Sequence, residues 1–167
     1  ERPEDLVAML NQYQEKWETR FGDEKKDRAP EERFEYVIQQ AYDQTGKGVV
    51  VLVDEYDKPL LQCLHNEELL ETYRSMLKAF YGVLKSADKY LRFAFLTGVT
   101  KFSQVSVFSD LNQLNDISLD YDSGTLCGIT HEELVNTFSP EIEMLAKANG
   151  LSNEEAIEQM TQQYDGY

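Results

Sequence analysis

The sequence is short of cysteine, of positive charge and of long apolar runs, and each shortage removes a class of protein. Its two cysteines, Cys63 and Cys127, lie far apart with no Cys-x-x-Cys pair, and only His65 and His131 could join them. A structural zinc site therefore has no support. Two lone cysteines suit a reducing compartment, where they serve as small core hydrophobes, and the cytoplasm is the expected location. Against 31 carboxylates stand only 16 Lys and Arg, a net charge of −15. A duplex-binding surface needs clustered cations, and Lys25-Lys26 is flanked by Asp23, Glu24 and Asp27. Direct nucleic-acid binding is not expected, and the charge serves solubility. The longest apolar run, Val49 to Val53, is far too short to cross a bilayer, so no membrane partner is expected either.

Two further absences concern completeness. The chain opens Glu1-Arg2-Pro3-Glu4-Asp5, with neither a start methionine nor a signal peptide, and the expectation is that part of a longer polypeptide is missing. There is also no Gly-x-x-x-x-Gly-Lys-Ser/Thr, the loop whose backbone N–H groups cradle phosphates. Gly46-Lys47 comes nearest, but Gly48 follows the lysine, Ala41 stands where the first glycine belongs, and the segment leads into a strand.

What is present is a chain of 167 residues, 41% apolar and 28% charged, enough for one soluble domain with a core. Leu6, Leu10, Tyr13 and Trp17 recur at helical spacing over Pro3 to Arg20, and Gly22 to Pro30 reads as a charged loop. A second helix from Glu31 puts Phe34, Val37, Ile38 and Ala41 on one face, and Gly46 ends it. Val49 to Val53 is continuously apolar and mostly β-branched, which predicts a strand buried on both faces of a parallel sheet. Glu67 to Ser86 predicts a long amphipathic helix and Leu91 to Thr97 a second strand, together a βαβ crossover. Beyond Gly98 the chain is loop-rich to Asn115, with a short strand expected at Ile117 to Leu119. The remainder reads as helical: Thr130 with Glu133 and Ser152 with Glu155 form capping boxes, and Pro140 opens the helix that stops at Gly150.

The strongest chemical signal is the apolar strand that runs into Asp54-Glu55-Tyr56-Asp57. A hydrophobic strand ending in Asp-Glu is the Walker B pattern: the strand delivers Asp54 to the carboxyl edge of the sheet, where ligands of open α/β folds bind. There Asp54 can hold Mg²⁺ directly or through water, while Glu55 polarises the attacking water. The plain alternative is an acidic exit that caps the next helix. The second strand ends in Thr97, whose hydroxyl stands where the large ATPase class senses the γ-phosphate, with Thr100 in reserve. Alone, Thr97 reads as an ordinary β-former and Gly98 as an ordinary turn residue. Asp57 is expected to cap, the other possibility being to orient a water.

Val49 to Leu60 (Val-Val-Val-Leu-Val-Asp-Glu-Tyr-Asp-Lys-Pro-Leu) resembles the Walker B segment of the bacterial AAA-ATPase-like family, whose proteins commonly carry a C-terminal PD-(D/E)XK nuclease-like domain. The resemblance continues through Leu91 to Ser103, Phe108 to Leu119, Leu126 to Thr130 and the closing Tyr164-Asp165-Gly166-Tyr167. It implies an α/β fold, part of a P-loop NTPase (AAA/STAND-like) parallel sheet with flanking helices and a helical C-terminal extension. Residues 1–167 would be a single incomplete domain: 1–48 a helical lead-in, 49–120 the Walker B and sensor strands, 121–167 the helical C-terminal part. The Walker A strand and loop would precede Glu1 and the nuclease-like domain would follow Tyr167. Mg²⁺ and ATP are implied for the full-length protein, with neither bound by the fragment alone. By the family's pattern Asp54 is the Mg²⁺-associated carboxylate, Glu55 the catalytic base and Thr97 the sensor. Lys101 is a candidate phosphate contact, against the alternative of a solvated loop lysine. Phe108 to Asn115 and Tyr164 to Tyr167 carry no chemical account.

Two other functions compete. One is an NTPase-derived scaffold that mediates protein contacts without turnover. The other is metal-dependent phosphodiester chemistry by Asp54, Glu55 and Asp57, for which basic substrate contacts are missing. A sensor strand cut from its Walker A neighbour would expose an unpaired edge, and the expectation is that it is covered by self-association or swapping, pairs with a strand borrowed from elsewhere, or admits water and packs loosely.

Overall fold

The computed structural model describes residues 2–99, 107–109, 111 and 113–164. The chain divides into two compact units, Glu1–Leu114 and Asn115–Tyr167. The first contains helices α1 (Pro3–Phe21) and α2 (Pro30–Thr45), strand β1 (Val49–Val53), the short helix α3 (Lys58–Gln62), the long helix α4 (Glu67–Ser86) and strand β2 (Leu91–Leu96). The second contains α5 (His131–Thr137), α6 (Ser139–Asn149) and α7 (Asn153–Tyr164). The chain is thus a mixed α/β protein, mostly helical, with a small two-stranded parallel sheet. Among the described residues no helix is long and apolar enough to cross a membrane.

Helices α1 and α2 are joined through buried polar groups. The buried stripe of α1 is Leu6, Leu10, Gln14 and Glu18, a row at i+4 spacing. Tyr13 and Trp17, expected on the inner face, are exposed by 67% and 45%. The reason lies in α2, which buries Arg33. Its guanidinium donates from Nε to Glu18 Oε1 at 2.7 Å and from Nη2 to Glu18 Oε2 at 2.6 Å, a bidentate pair. Gln14 Nε2 donates to the Pro30 carbonyl at 3.0 Å. These three bonds turn α1 so that its polar row faces α2. Helix α2 stops where glycine is needed: Gly46 takes the left-handed conformation at φ 63° and its N–H caps the Tyr42 carbonyl.

Helix α4 makes the sheet possible, since parallel strands need a crossover connection. Asn66 caps its start, the side chain accepting from the Leu69 N–H at 3.1 Å. Tyr73, Leu77, Phe80, Tyr81 and Leu84 are buried along it, as the periodicity predicts. One core gathers Leu6, Leu10, Tyr56, Leu60, Tyr73 and Leu77; another gathers Ile38, Val51, Val83, Leu84 and Ala87. Cys63 is fully buried, its thiol donating to the Pro59 carbonyl at 3.3 Å, whereas Cys127 is exposed rather than a core hydrophobe.

Strands β1 and β2 pair in register from Val50↔Phe93 to Val53↔Leu96. Only one face is covered. Val51 is buried against α2 and α4, while Val50, Leu52 and Phe93 are 52%, 70% and 53% exposed. The expectation of a strand buried on both faces is therefore half met, because Val50 and Leu52 keep most of one face of β1 exposed.

The second unit follows its local signals closely. Thr130 and Glu133 close a reciprocal capping box at the start of α5, and Ser152 and Glu155 do the same before α7. Ile142, Ala146 and Ala156 form its small core. Ile117 to Leu119 is a turn, not the expected strand: Asp116 Oδ1 accepts from both the N–H and the hydroxyl of Ser118, at 3.0 and 2.6 Å. Such a local side-chain bond gives the backbone an alternative to a ladder.

Candidate functional site

Parallel pairing brings the carboxyl ends of β1 and β2 to one edge, and the lacing continues past both strands. The Thr97 N–H donates to the Val53 carbonyl at 2.8 Å, and the Tyr56 N–H donates to the Thr97 carbonyl at 2.9 Å. Between these bonds the Thr97 hydroxyl donates to Asp54 Oδ1 at 2.5 Å and accepts from the Glu55 N–H at 3.2 Å. A hydroxyl is the one small group that can do both. The adjacent Asp54 and Glu55 and the distant Thr97 are thus held together at the edge where strand geometry predicts ligands.

Glu55 has φ 52°, the only non-glycine positive φ among the described residues. The left-handed region costs an ordinary side chain about 1–2 kcal/mol, and such residues gather at functional sites. The surrounding bonds at Tyr56 and Thr97 hold it there. The Glu55 carboxylate is exposed and pairs with Lys58 Nζ at 2.9 Å. The hydrogen bond that Lys58 donates to Glu55, and then the Glu55 charge, raise the Lys58 ammonium above its ordinary pKa. Lys58 was invisible as a site residue, although Glu-x-x-Lys spacing at the start of a helix was a readable signal.

Below the exposed pair lie two buried residues. Asp57 has no accessible surface, and its side chain does not cap α3 as expected. Its Oδ1 accepts instead from the Val99 N–H at 3.0 Å, while its carbonyl receives the N–H groups of Leu60 and Leu61. Tyr56 lays its ring over Gly98, so closely that an added Cβ there would stand 2.3 Å from Tyr56 Cε1. Gly98 is therefore required by packing. The Tyr56 ring also meets Phe108 at 4.7 Å between centroids and Tyr81 edge-on at 6.4 Å. Burial pushes the Tyr81 hydroxyl above its usual pKa. Phe108, which carried no chemical account in the sequence, is thus part of the aromatic wall behind the site. Val107 and Leu111 beside it are buried.

Thr100 and Lys101 lie outside the described residues, as do residues 165–167 of the closing motif. Gly46-Lys47, the nearest approach to a phosphate loop, is a helix end leading into β1. No group of three or more His, Cys, Asp or Glu is gathered for a metal among the described residues. An exposed pair of adjacent carboxylates suits Mg²⁺, which keeps several waters and takes one or two carboxylates from protein. A cavity of about 990 Å³ runs along β1, walled by Trp17, Phe21, Val37 and Ile38 and reaching Asp54 and Glu55.

These features define an α/β protein with an acidic site at the end of its parallel strands. The chain belongs to the AAA-ATPase-like family: the profile described as a predicted AAA-ATPase matches residues 1–108, which include α1 to β2 and every described candidate. It is also similar to a protein of Azotobacter chroococcum mcd 1, titled "Uncharacterized protein in vnfD 5'region", with 48% identity over 110 residues. That match covers 66% of this chain and 21% of the relative, so the chain corresponds to about a fifth of the relative's length. No solved structure matches the chain.

Proposed function

We propose that this chain is the Walker B and sensor portion of an ATP-binding and ATP-hydrolysing P-loop domain in a larger protein. The observation that carries the reading is the Thr97 hydroxyl, hydrogen-bonded at once to the Asp54 carboxylate and the Glu55 N–H. In this reading Asp54 is the carboxylate on the Mg²⁺ side, and the ion neutralises phosphate charge when bound. Glu55 takes the proton of the attacking water. To do so it leaves Lys58, and an exposed ion pair of this kind is cheap to open. Thr97 senses phosphate by exchanging acceptors: its proton turns from Asp54 to a phosphate oxygen. Because the sequence contains no Gly-x-x-x-x-Gly-Lys-Ser/Thr, the phosphate cradle comes from polypeptide outside it. A nuclease-like domain in the same polypeptide is the expected recipient of the nucleotide signal.

The test uses the longer polypeptide with its phosphate-binding loop. Glu55→Gln should keep nucleotide and lose turnover, because it removes the proton acceptor and spares Asp54. Asp54→Ala should weaken Mg·ATP binding itself, and Thr97→Val should lower turnover per folded molecule. Wild-type hydrolysis by Glu55→Gln would end the assignment. The scaffold reading draws on one observation, the uncovered apolar face of Val50, Leu52 and Phe93. A protein that binds no nucleotide yet forms complexes abolished by Leu52→Lys would replace hydrolysis with that reading.

A further inference from the structure

Among the described residues, five hydrogen bonds lace the exit of β1 to the exit of β2. Four involve Thr97 directly: one through its N–H, one through its carbonyl and two through its hydroxyl. The fifth lies two residues further on, where Asp57 Oδ1 accepts from the Val99 N–H at 3.0 Å. Thr97 therefore sits between two fixed points, the last strand pairing and the Asp57 bond. Gly98, the residue between, offers no side chain to hold the chain in place, and the Tyr56 ring covers it.

The chemistry of Asp57 is out of proportion to a turn. A carboxylate with no accessible surface is expensive to keep, and an exposed serine or asparagine would cap α3 at no such cost. Asp57 does not cap α3 with its side chain. It reaches across to the other strand's exit, beneath the two exposed carboxylates. We infer that Asp57 is a positioning residue: through the Val99 N–H it fixes the backbone beyond Gly98, and so holds the Thr97 hydroxyl between Asp54 and the Glu55 N–H. This inference rests on the reading of Asp54, Glu55 and Thr97 as the hydrolytic site. Asp57 touches neither nucleotide nor water in that reading. Its effect reaches the reaction through the placement of Thr97.

The acceptor, not the charge, does this, which separates the variants. Asp57→Asn keeps an oxygen at Oδ1, Asp57→Ala removes it, and Val99→Pro removes the donor while leaving Asp57 intact. In the 167-residue chain, amide exchange followed by NMR should show the Val99 N–H losing protection by about tenfold or more in Asp57→Ala and keeping it in Asp57→Asn. In the longer polypeptide with its phosphate loop, Asp57→Ala and Val99→Pro should each lower kcat by about tenfold or more, since misplacement on the order of 1 Å costs up to 10²-fold. KM for ATP should hold, and Asp57→Asn should restore turnover to within a few-fold. Unchanged kcat per folded molecule in Asp57→Ala or Val99→Pro overturns the inference and leaves Asp57 as a staple of the fold. So does Val99 protection that survives in Asp57→Ala. If Asp57→Ala does not fold, Val99→Pro and Asp57→Asn decide the matter between them. A wild-type protein without turnover sinks the hydrolytic reading instead, and the exchange data on Val99 then decide the positioning bond separately.

Discussion

Gly98→Ala is a single methyl group placed against a ring that has nowhere to go. The new Cβ would meet Tyr56 Cε1 at 2.3 Å, Cδ1 at 2.8 Å and Cζ at 3.0 Å. Ordinary contact begins near 3.4 Å, so the ring or the backbone must yield by about 1 Å. The ring is only 6% exposed and is walled by Phe108 and Tyr81. Overpacking of this kind costs about 1–3 kcal/mol, and the tight walls put Gly98→Ala in the upper half of that range. Urea denaturation of the 167-residue chain measures the cost. A double-mutant cycle locates it: Tyr56→Leu removes the offending ring atoms, so the double mutant should be less destabilised than the sum of the singles by about 1 kcal/mol or more. If Gly98→Ala costs under about 0.5 kcal/mol, or the two changes simply add, Tyr56 does not lie over Gly98 in solution and the packing argument fails.

Other outcomes follow from the same structure. Glu18→Gln leaves the Arg33 guanidinium buried without its anion and should cost about 3–5 kcal/mol in denaturant. The double replacement Glu18→Leu with Arg33→Met should recover most of that; a loss under about 1 kcal/mol for the single change would mean that the pair is open to water. In the second unit, Thr130 lowers the Glu133 pKa through its N–H and then its hydroxyl, and Ser152 does the same to Glu155. Because these folded pKa values lie below the ordinary 4.5, their contribution is complete above that pH. It is lost as the pH falls through the depressed values. Carboxyl titration by NMR should place both glutamates below the ordinary 4.5, and Glu133→Gln should flatten the acid unfolding of α5; ordinary titration of both would refute the caps.

The parts of the fold that were legible share one property, a local pattern that decided the outcome. Helix α4 carries clear periodicity, β1 is a continuous apolar run, and the capping boxes and Gly46 and Gly150 mark helix ends by backbone chemistry alone. Where partners distant in sequence decided, the reading failed. Gln14 and Glu18 are polar and so read as solvent-facing, yet Pro30 and Arg33 draw them inward and turn Tyr13 and Trp17 out. Asp57 carried a helix-capping signature and made its bond across to Val99. The meeting of Asp54, Glu55 and Thr97 was legible because strand ends bring polar residues to one edge whatever the details. The left-handed Glu55 and its partner Lys58 were not, since no propensity places a glutamate at positive φ.

Asp54 and Thr97 are 43 positions apart, with the whole of α4 between them. The α1–α2 pair, by contrast, closes over 15 positions at Arg33 and Glu18. Closing the longer loop costs more entropy, and contacts of high sequence separation form late. The helical hairpin can therefore organise early, while the carboxylates of Asp54 and Glu55 meet the Thr97 hydroxyl only once β2 has docked. Any excursion that peels β2 away dissolves the site at a stroke, leaving two solvated acids on one strand. The grouping of Asp54, Glu55 and Thr97 is then present only in molecules that have completed folding, and partly assembled chains lack it by construction.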